Sequence, residues 1–271
     1  MGETPKLVSS MGKAELDRIF VRGYDLNEEL LGKISFGQMV YLMLVGRMPT
    51  VEEGRMIDSM LIVLVDHGMT TGALAARMTY HSAPEALQGA VAAAILGAGS
   101  VHLGSSEFCA QMLHEALPPV QRAQGGEFVE PPNSKASDFD DIAKRTVEAR
   151  LSNKQLIPGI GHGIHTAGDP RAERLFQIAQ ETKVYGRYCD LLRKIGKVAE
   201  ERVGRRLPVN VTGAIAAISM DMGLPWQMSK SFAILGRALG GIAHVGEEVR
   251  RPIARGISNL IRANLQYEPE K

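Results

Sequence analysis

Helical periodicity is the feature that most constrains this chain. Across its 271 residues, almost every periodic stretch repeats apolar positions at helical spacing, and period-2 alternation of β-branched residues is nearly absent. That pattern predicts an all-α fold. Start and stop signals punctuate it. Thr50-Val-Glu-Glu53 reads as a capping box, the Thr50 hydroxyl bonding the Glu53 amide while Glu53 reaches back. Met56, Ile57, Met60, Leu61 and Leu64 follow at helical spacing, and that helix should end near Asp66-His67-Gly68. Ala86–Leu96 is alanine-rich, with high helix propensity and small side chains that let helices approach. Asp169-Pro170 places an N-cap before a proline at N1, where its missing N–H costs nothing. Val211, Ile215, Ile218 and Met222 fall on one helix face, which Gly223-Leu-Pro225 ends. Gln124–Ser134 is turn-rich and aperiodic, so it reads as a long surface loop.

Composition narrows the classes. Hydrophobic residues make up 45% and charged residues 23%, ordinary for a globular protein able to bury a core without staples. A net charge of +1 supplies no bulk field for nucleic acid or membrane. Cys109 and Cys189 form neither a disulfide framework nor a CxxC pair, so both are expected as core thiols in a reducing compartment. Met1–Asp17 has no apolar core of signal-peptide length. The longest apolar runs, Met60–Val65 and Ala90–Gly99, fall far short of the ~20 residues a membrane span needs. A cytoplasmic location is expected.

Chemistry concentrates on histidine. Three of the seven sit against glycine at predicted helix ends: His67 before Gly68, His102 in Gly-Ser-Val-His-Leu-Gly, and His162 in Pro-Gly-Ile-Gly-His-Gly. Each alone could serve only a helix dipole. Together they combine a group that titrates near neutrality with backbone that a ligand can approach. No metal-site spacing, GxSxG, Walker pattern or glycosidase carboxylate pair is present, so no metal is expected. Arg77 lies ten residues after His67, and Arg237, Arg250, Arg251 and Arg255 cluster late in the chain. Arginine binds carboxylates bidentately, and is otherwise a solvated surface residue. His165 is either a further polar group or a cap for the Asp169 helix.

These residues resemble one family over most of the chain, from about Val21 to Arg255. Arg22–Thr50, Asp66–Thr79, Gly97–Glu107, Pro158–Ala172 and Phe232–Glu248 occur in the order seen in citrate synthase. The resemblance is closer to its shorter relatives, citryl-CoA lyase and the C-terminal module of ATP-citrate lyase. Pro-Gly-x-Gly-His with Asp-Pro-Arg seven residues on is the specific part. The resemblance implies a two-domain helical subunit in an obligate dimer. The large domain would comprise 1–103 and 226–271, and the small, inserted domain 104–225. His102 would bond a developing enolate oxygen, and His162 would bond the other carbonyl or take the hydroxyl proton. His67 would assist. Arg77 would join the substrate site. Arg171, Arg237 and one of Arg250, Arg251 or Arg255 would hold carboxylates, one of them across the dimer. Ile157, Pro158, Gly159, Ile160 and Gly161 would line the coenzyme A site.

The match breaks at one position. The family carries a catalytic aspartate in Asn-Val-Asp, and here the sequence reads Asn210-Val211-Thr212-Gly213. A threonine hydroxyl is no general base near neutral pH. Asp221 is no substitute, since nine residues along a helix is about 900°, the opposite face. Three readings follow. The chain is a citryl-CoA-type carbon–carbon lyase, or catalyses the reverse condensation of acetyl-CoA with a 2-oxo acid. It is a relative that makes its enolate without the aspartate, for example by decarboxylation. Or it is a non-catalytic homologue that retains coenzyme A binding. Its partners would be an acyl-CoA, a small carboxylic or 2-oxo acid, and a second copy of itself in a homodimer or higher even oligomer.

Overall fold

Helices stand where the capping signals put them. The computed structural model describes residues 7–99, 103–117, 121–122, 128–129 and 138–270. The described helices are α1 (Phe36–Val45), α2 (Val51–Ile62), α3 (Thr71–Ser82), α4 (Leu87–Leu96), α5 (Ser105–Ala116), α6 (Phe139–Ser152), α7 (Pro170–Glu181), α8 (Arg187–Val203), α9 (Val211–Asp221), α10 (Ser231–Arg250) and α11 (Ala254–Asn264). The helical fold class is therefore as expected. The Thr50 capping box forms at α2, and Asp169 caps α7 with Pro170 at N1. No described helix is long and apolar enough to cross a membrane.

Two local expectations change. Helix α2 stops at Ile62, before Asp66. Gly68 does take positive φ, but in a separate turn closed by its own N–H donating to Asp66 Oδ2 at 3.0 Å. An antiparallel ribbon also precedes the helices: β1 (Gly12–Ala14), β2 (Ile19–Val21) and β3 (Tyr24–Asp25), in that order. Strands of two or three residues are too short to show period 2 in a sequence. A further pair, β4 (Gln121–Arg122) with β5 (Phe128–Val129), falls in and beside the expected loop, most of which lies outside the described residues.

Helix α9 is the hub of the larger core. Its predicted apolar face is only part of its burial, because Val211 and Gly213 through Met220 are all buried. Alanines and Ser219 complete a helix enclosed on every side by α5, α7 and α8. Both cysteines are buried thiols, Cys109 on α5 and Cys189 on α8. Burial pushes the Cys109 thiol up to about 12, so it is inert packing. Asp221, at the far end of α9, accepts N–H bonds from Gly186, Tyr188 and Cys189 at 2.9, 3.0 and 3.1 Å and so caps α8. Burial raises its carboxyl to about 6 against those donors. Asp221 thus serves the start of another helix.

The Ile157–Gly161 segment runs along the chain entering α9. Gly161 N–H donates to Pro208 O at 2.7 Å, and Asn210 N–H to Gly159 O at 2.9 Å. Gly159 has φ +83°, and a Cβ there would stand 2.8 Å from Gly213 Cα. A Cβ on Gly213 would in turn stand 2.5 Å from Gly159 O. Helices α3, α4 and α10 pack together through small residues, Ala76, Ala90 and Ala94 among them. A Cβ at Gly240 would come within 2.1 Å of Val65 O, so glycine lets α10 close on the turn after α2.

Gly213→Ala is expected to cost about 1–3 kcal/mol through overpacking against backbone that cannot yield. Chemical denaturation reads it, and an unchanged midpoint would count against the close packing of these two glycines.

Candidate active site

Asp169 assembles the site. Its side chain is fully buried and accepts from the Arg171 backbone N–H at 3.1 Å, capping α7. It also accepts from Arg171 Nε at 2.9 Å and Nη2 at 3.0 Å, and from the Val211 N–H at 2.9 Å. One carboxylate therefore joins the starts of α7 and α9 and aims the Arg171 guanidinium. Burial would raise this carboxyl, but the bonds from Arg171 and Val211 outweigh it and hold it below the usual range.

Arg171 points at His162. The two backbone N–H groups of Ile164 and His165 donate to His162 Nδ1, each at 3.0 Å. Nδ1 is then an acceptor, and the ring proton resides on Nε2. Arg171 Nη2 lies 3.2 Å from that Nε2. Two donors stand side by side, an arrangement satisfied by one oxygen that accepts from both. Burial lowers the His162 pKa, Asp169 opposes this, and His165, Arg171 and His67 add to the lowering. His162 is thus kept neutral as a hydrogen-bond donor. His165 does not cap α7. Its backbone bonds His162 and its ring lies 4.7 Å from the His162 ring.

These groups open on a cavity of about 480 Å³ between α3, α9 and α10. His67, His162, Arg171, Thr212 and Arg237 all line it, so the structure brings five sequence-identified residues together. Asp66 is the one carboxylate on its wall among the described residues. Burial lowers the Arg237 pKa, Asp66 opposes that, and Arg171 adds to it. Thr212 Oγ1 donates to Asn210 Oδ1 at 2.7 Å and is 2.8 Å from Ser105 Oγ, which then donates to it. Its proton is engaged, and it presents a neutral oxygen to the cavity. Among the described residues no group of acids, histidines and cysteines is arranged to hold a metal.

Other expected residues lie elsewhere. His102 lies outside the described residues. Arg77 does not reach the cavity. It is 1% exposed, pairs with Glu248 at 3.1 Å and also with Glu247, and its charge is spent there. Arg251 and Arg255 are exposed around the start of α11, away from the wall. Ile157, Pro158, Gly159, Ile160 and Gly161 do not line the cavity either, and close packing on Cys109 and Gly213 accounts for Gly159. Sequence reading passed over His244 and Asp66, both on the wall. The available signal for His244 was its spacing. It follows Arg237 by seven residues, two turns along one helix face.

Residues 51–263 match the family described as citrate synthase, C-terminal domain. The chain belongs to the citrate synthase family. A citrate synthase of Deinococcus radiodurans is 26% identical to it over 215 residues, 78% of this chain and 51% of that protein. One from Synechocystis sp. is 26% identical over 223 residues, 80% of this chain and 50% of that one. This family member spans about half the length of the curated relatives it matches. It superposes on the citryl-CoA lyase of Hydrogenobacter thermophilus with a TM-score of 0.82 at 32% identity, over 98% of this chain and 95% of that one. The ATP citrate lyase of Methanothrix soehngenii, solved with citrate and coenzyme A, shares the fold. Its TM-score is 0.74 at 17% identity, over 100% of this chain and 43% of that one.

His162 is expected to titrate below its ordinary value of 6.5 in a histidine NMR titration. Asp169→Asn removes the charge that raises it, so the midpoint should fall further. A rise would contradict this electrostatic account.

Proposed function

We propose that this protein is a carbon–carbon lyase that cleaves a 3-hydroxy acyl-CoA of the citryl-CoA type to acetyl-CoA and a 2-oxo acid, or runs the reverse condensation. The observation that carries the reading is the pair of adjacent donors, His162 Nε2–H and Arg171 Nη2, within one cavity with Arg237. An oxygen seated in the cavity beside the pair, within reach of both nitrogens, gains two donors as negative charge develops on it, whether as carbonyl in condensation or alkoxide in cleavage. Arg237, and Arg171 through its remaining N–H groups, suit the carboxylates of a small acid. His67, on the same wall, is placed to carry the hydroxyl proton. Coenzyme A enters as the thioester of substrate and product. The likeness in fold and sequence to the Hydrogenobacter lyase supports this reading.

Thr212 leaves the acetyl methyl group without a protein base, unlike an ordinary synthase site. Condensation must remove a proton from the acetyl methyl group, and a hydroxyl already donating to Asn210 does not do so. Cleavage asks only that an enolate be protonated, which water can do. The same neutral Thr212 supports a second reading, a thioester whose enolate arises by loss of carbon dioxide. We further infer a two-domain subunit that assembles as a homodimer or a higher even oligomer. Leu260 and Ile261 on α11 are exposed, an apolar surface suited to a second copy, and Arg251 and Arg255 are exposed near the start of the same helix. A cytoplasmic location fits this chemistry.

Incubation with citryl-CoA, read by reduction of released oxaloacetate, should show turnover, and its absence would overturn the lyase reading. Thr212→Asp should raise acetyl-CoA methyl deuterium exchange by about 10²–10⁴-fold, the ordinary size of general-base catalysis. No change would place Thr212 away from the reacting carbon. Sedimentation at micromolar concentration should show a dimer, and a clean monomer would contradict the shared site.

A further inference from the structure

We propose that His244 is a positioning residue, locked by Arg77 as one tautomer, whose task is to hold the Asp66–Gly68 turn and so place His67 at the cavity. The inference rests on the proposed reading only in treating His67 as a group that meets substrate.

The bonds run without a break from α11 to the cavity. Glu248 is buried and accepts from the Ile253 N–H and, at 2.9 Å, from the Ala254 N–H, at the start of α11. Its other contact is Arg77 Nη1 at 3.1 Å. Arg77 Nε and Nη2 each lie 3.3 Å from His244 Nδ1. A guanidinium has no acceptor, so Nδ1 must be the acceptor and the ring proton sits on Nε2. That Nε2–H donates to Asp66 Oδ1 at 2.9 Å. Asp66 Oδ2 accepts the Gly68 N–H at 3.0 Å, closing the turn that carries His67.

Both ring nitrogens of His244 are therefore occupied, although the ring lines the cavity. It cannot bond a substrate without releasing Asp66 or Arg77, which separates it from His162. The arrangement also gives Arg77 a role that its burial would otherwise obscure. Arg77 chooses the tautomer that lets His244 donate to a carboxylate. The opposite tautomer would set a ring N–H against the guanidinium and leave Asp66 Oδ1 without a donor.

The test uses the full-length chain with 15N-labelled histidine, its ring resonances assigned with single His→Gln variants. Arg77 is a poor handle, because its removal strands Glu248 as a buried, unpaired charge. His244→Gln and His244→Asn are better. The glutamine amide reaches as far as Nε2 and can still donate to Asp66, whereas asparagine is too short and keeps only the Arg77 end. In the unsubstituted protein His244 should show the Nε2–H pattern. The His67 resonances should hold their positions in His244→Gln and move in His244→Asn. With citryl-CoA, His244→Asn should lose about 10–100-fold in kcat, the usual scale for a group that orients another. His244→Gln should lose far less, the two variants sharing one thermal midpoint. An Nδ1–H pattern, or His67 resonances and kcat alike in the two variants, would overturn the proposal. Should the unsubstituted protein fail to cleave citryl-CoA, the lyase reading falls, while the tautomer and the His67 resonances still decide this one.

Discussion

The buried carboxylate of Asp169 is the constraint on which the site depends. It accepts four N–H bonds, from the backbone and guanidinium of Arg171 and from the first amide of α9. A buried charge is costly unless it is paired and hydrogen-bonded, and here the pairing does structural and chemical work at once. Two helix starts are locked together, so Arg171 on α7 and Thr212 on α9 keep a fixed relation. Because Asp169 also holds the guanidinium in a fork, Arg171 can stand against the donor face of His162 although both are hydrogen-bond donors.

A second set of buried charges performs the equivalent task on the opposite wall. There Arg77 and Glu248 tie α3, α10 and α11 together behind the cavity, and His244 transmits that order to Asp66. Both walls are built around an acid that no substrate needs to touch. Between them the cavity surface carries guanidinium groups, imidazoles and the neutral Thr212. With threonine at 212, that stretch of the wall adds no negative charge to compete with an anionic ligand for those arginines.

Helix positions, caps and the order of motifs were legible because they depend on groups within one turn of each other. Thr50 with Glu53 and Asp169 with Arg171 are separated by three and two residues. The glycines at 159 and 161 were legible as special, and the structure gives Gly159 a packing reason besides ligand approach. A reading of ligand approach was natural for Pro-Gly-Ile-Gly-His, whereas the structure packs Gly159 on Gly213, far along the chain. Arg77 was misread. The family resemblance put it in the substrate site, yet Glu248, 171 residues away, draws it into the interior. His244 was missed because its partner Asp66 is 178 residues distant, and nothing local marks the pair.

The sequence by itself determined an all-α chain of this family, and singled out His162, Arg171, Thr212 and Arg237 as candidates for its site. Those conclusions rest on local hydrogen bonding, apolar spacing and residue identity, which any segment carries with it. Only the tertiary structure decided which polar side chains share a cavity and which are consumed behind it. Burial and pairing depend on segments that meet across the fold. The same is true of Thr212, whose oxygen lies against Ser105, 107 residues earlier.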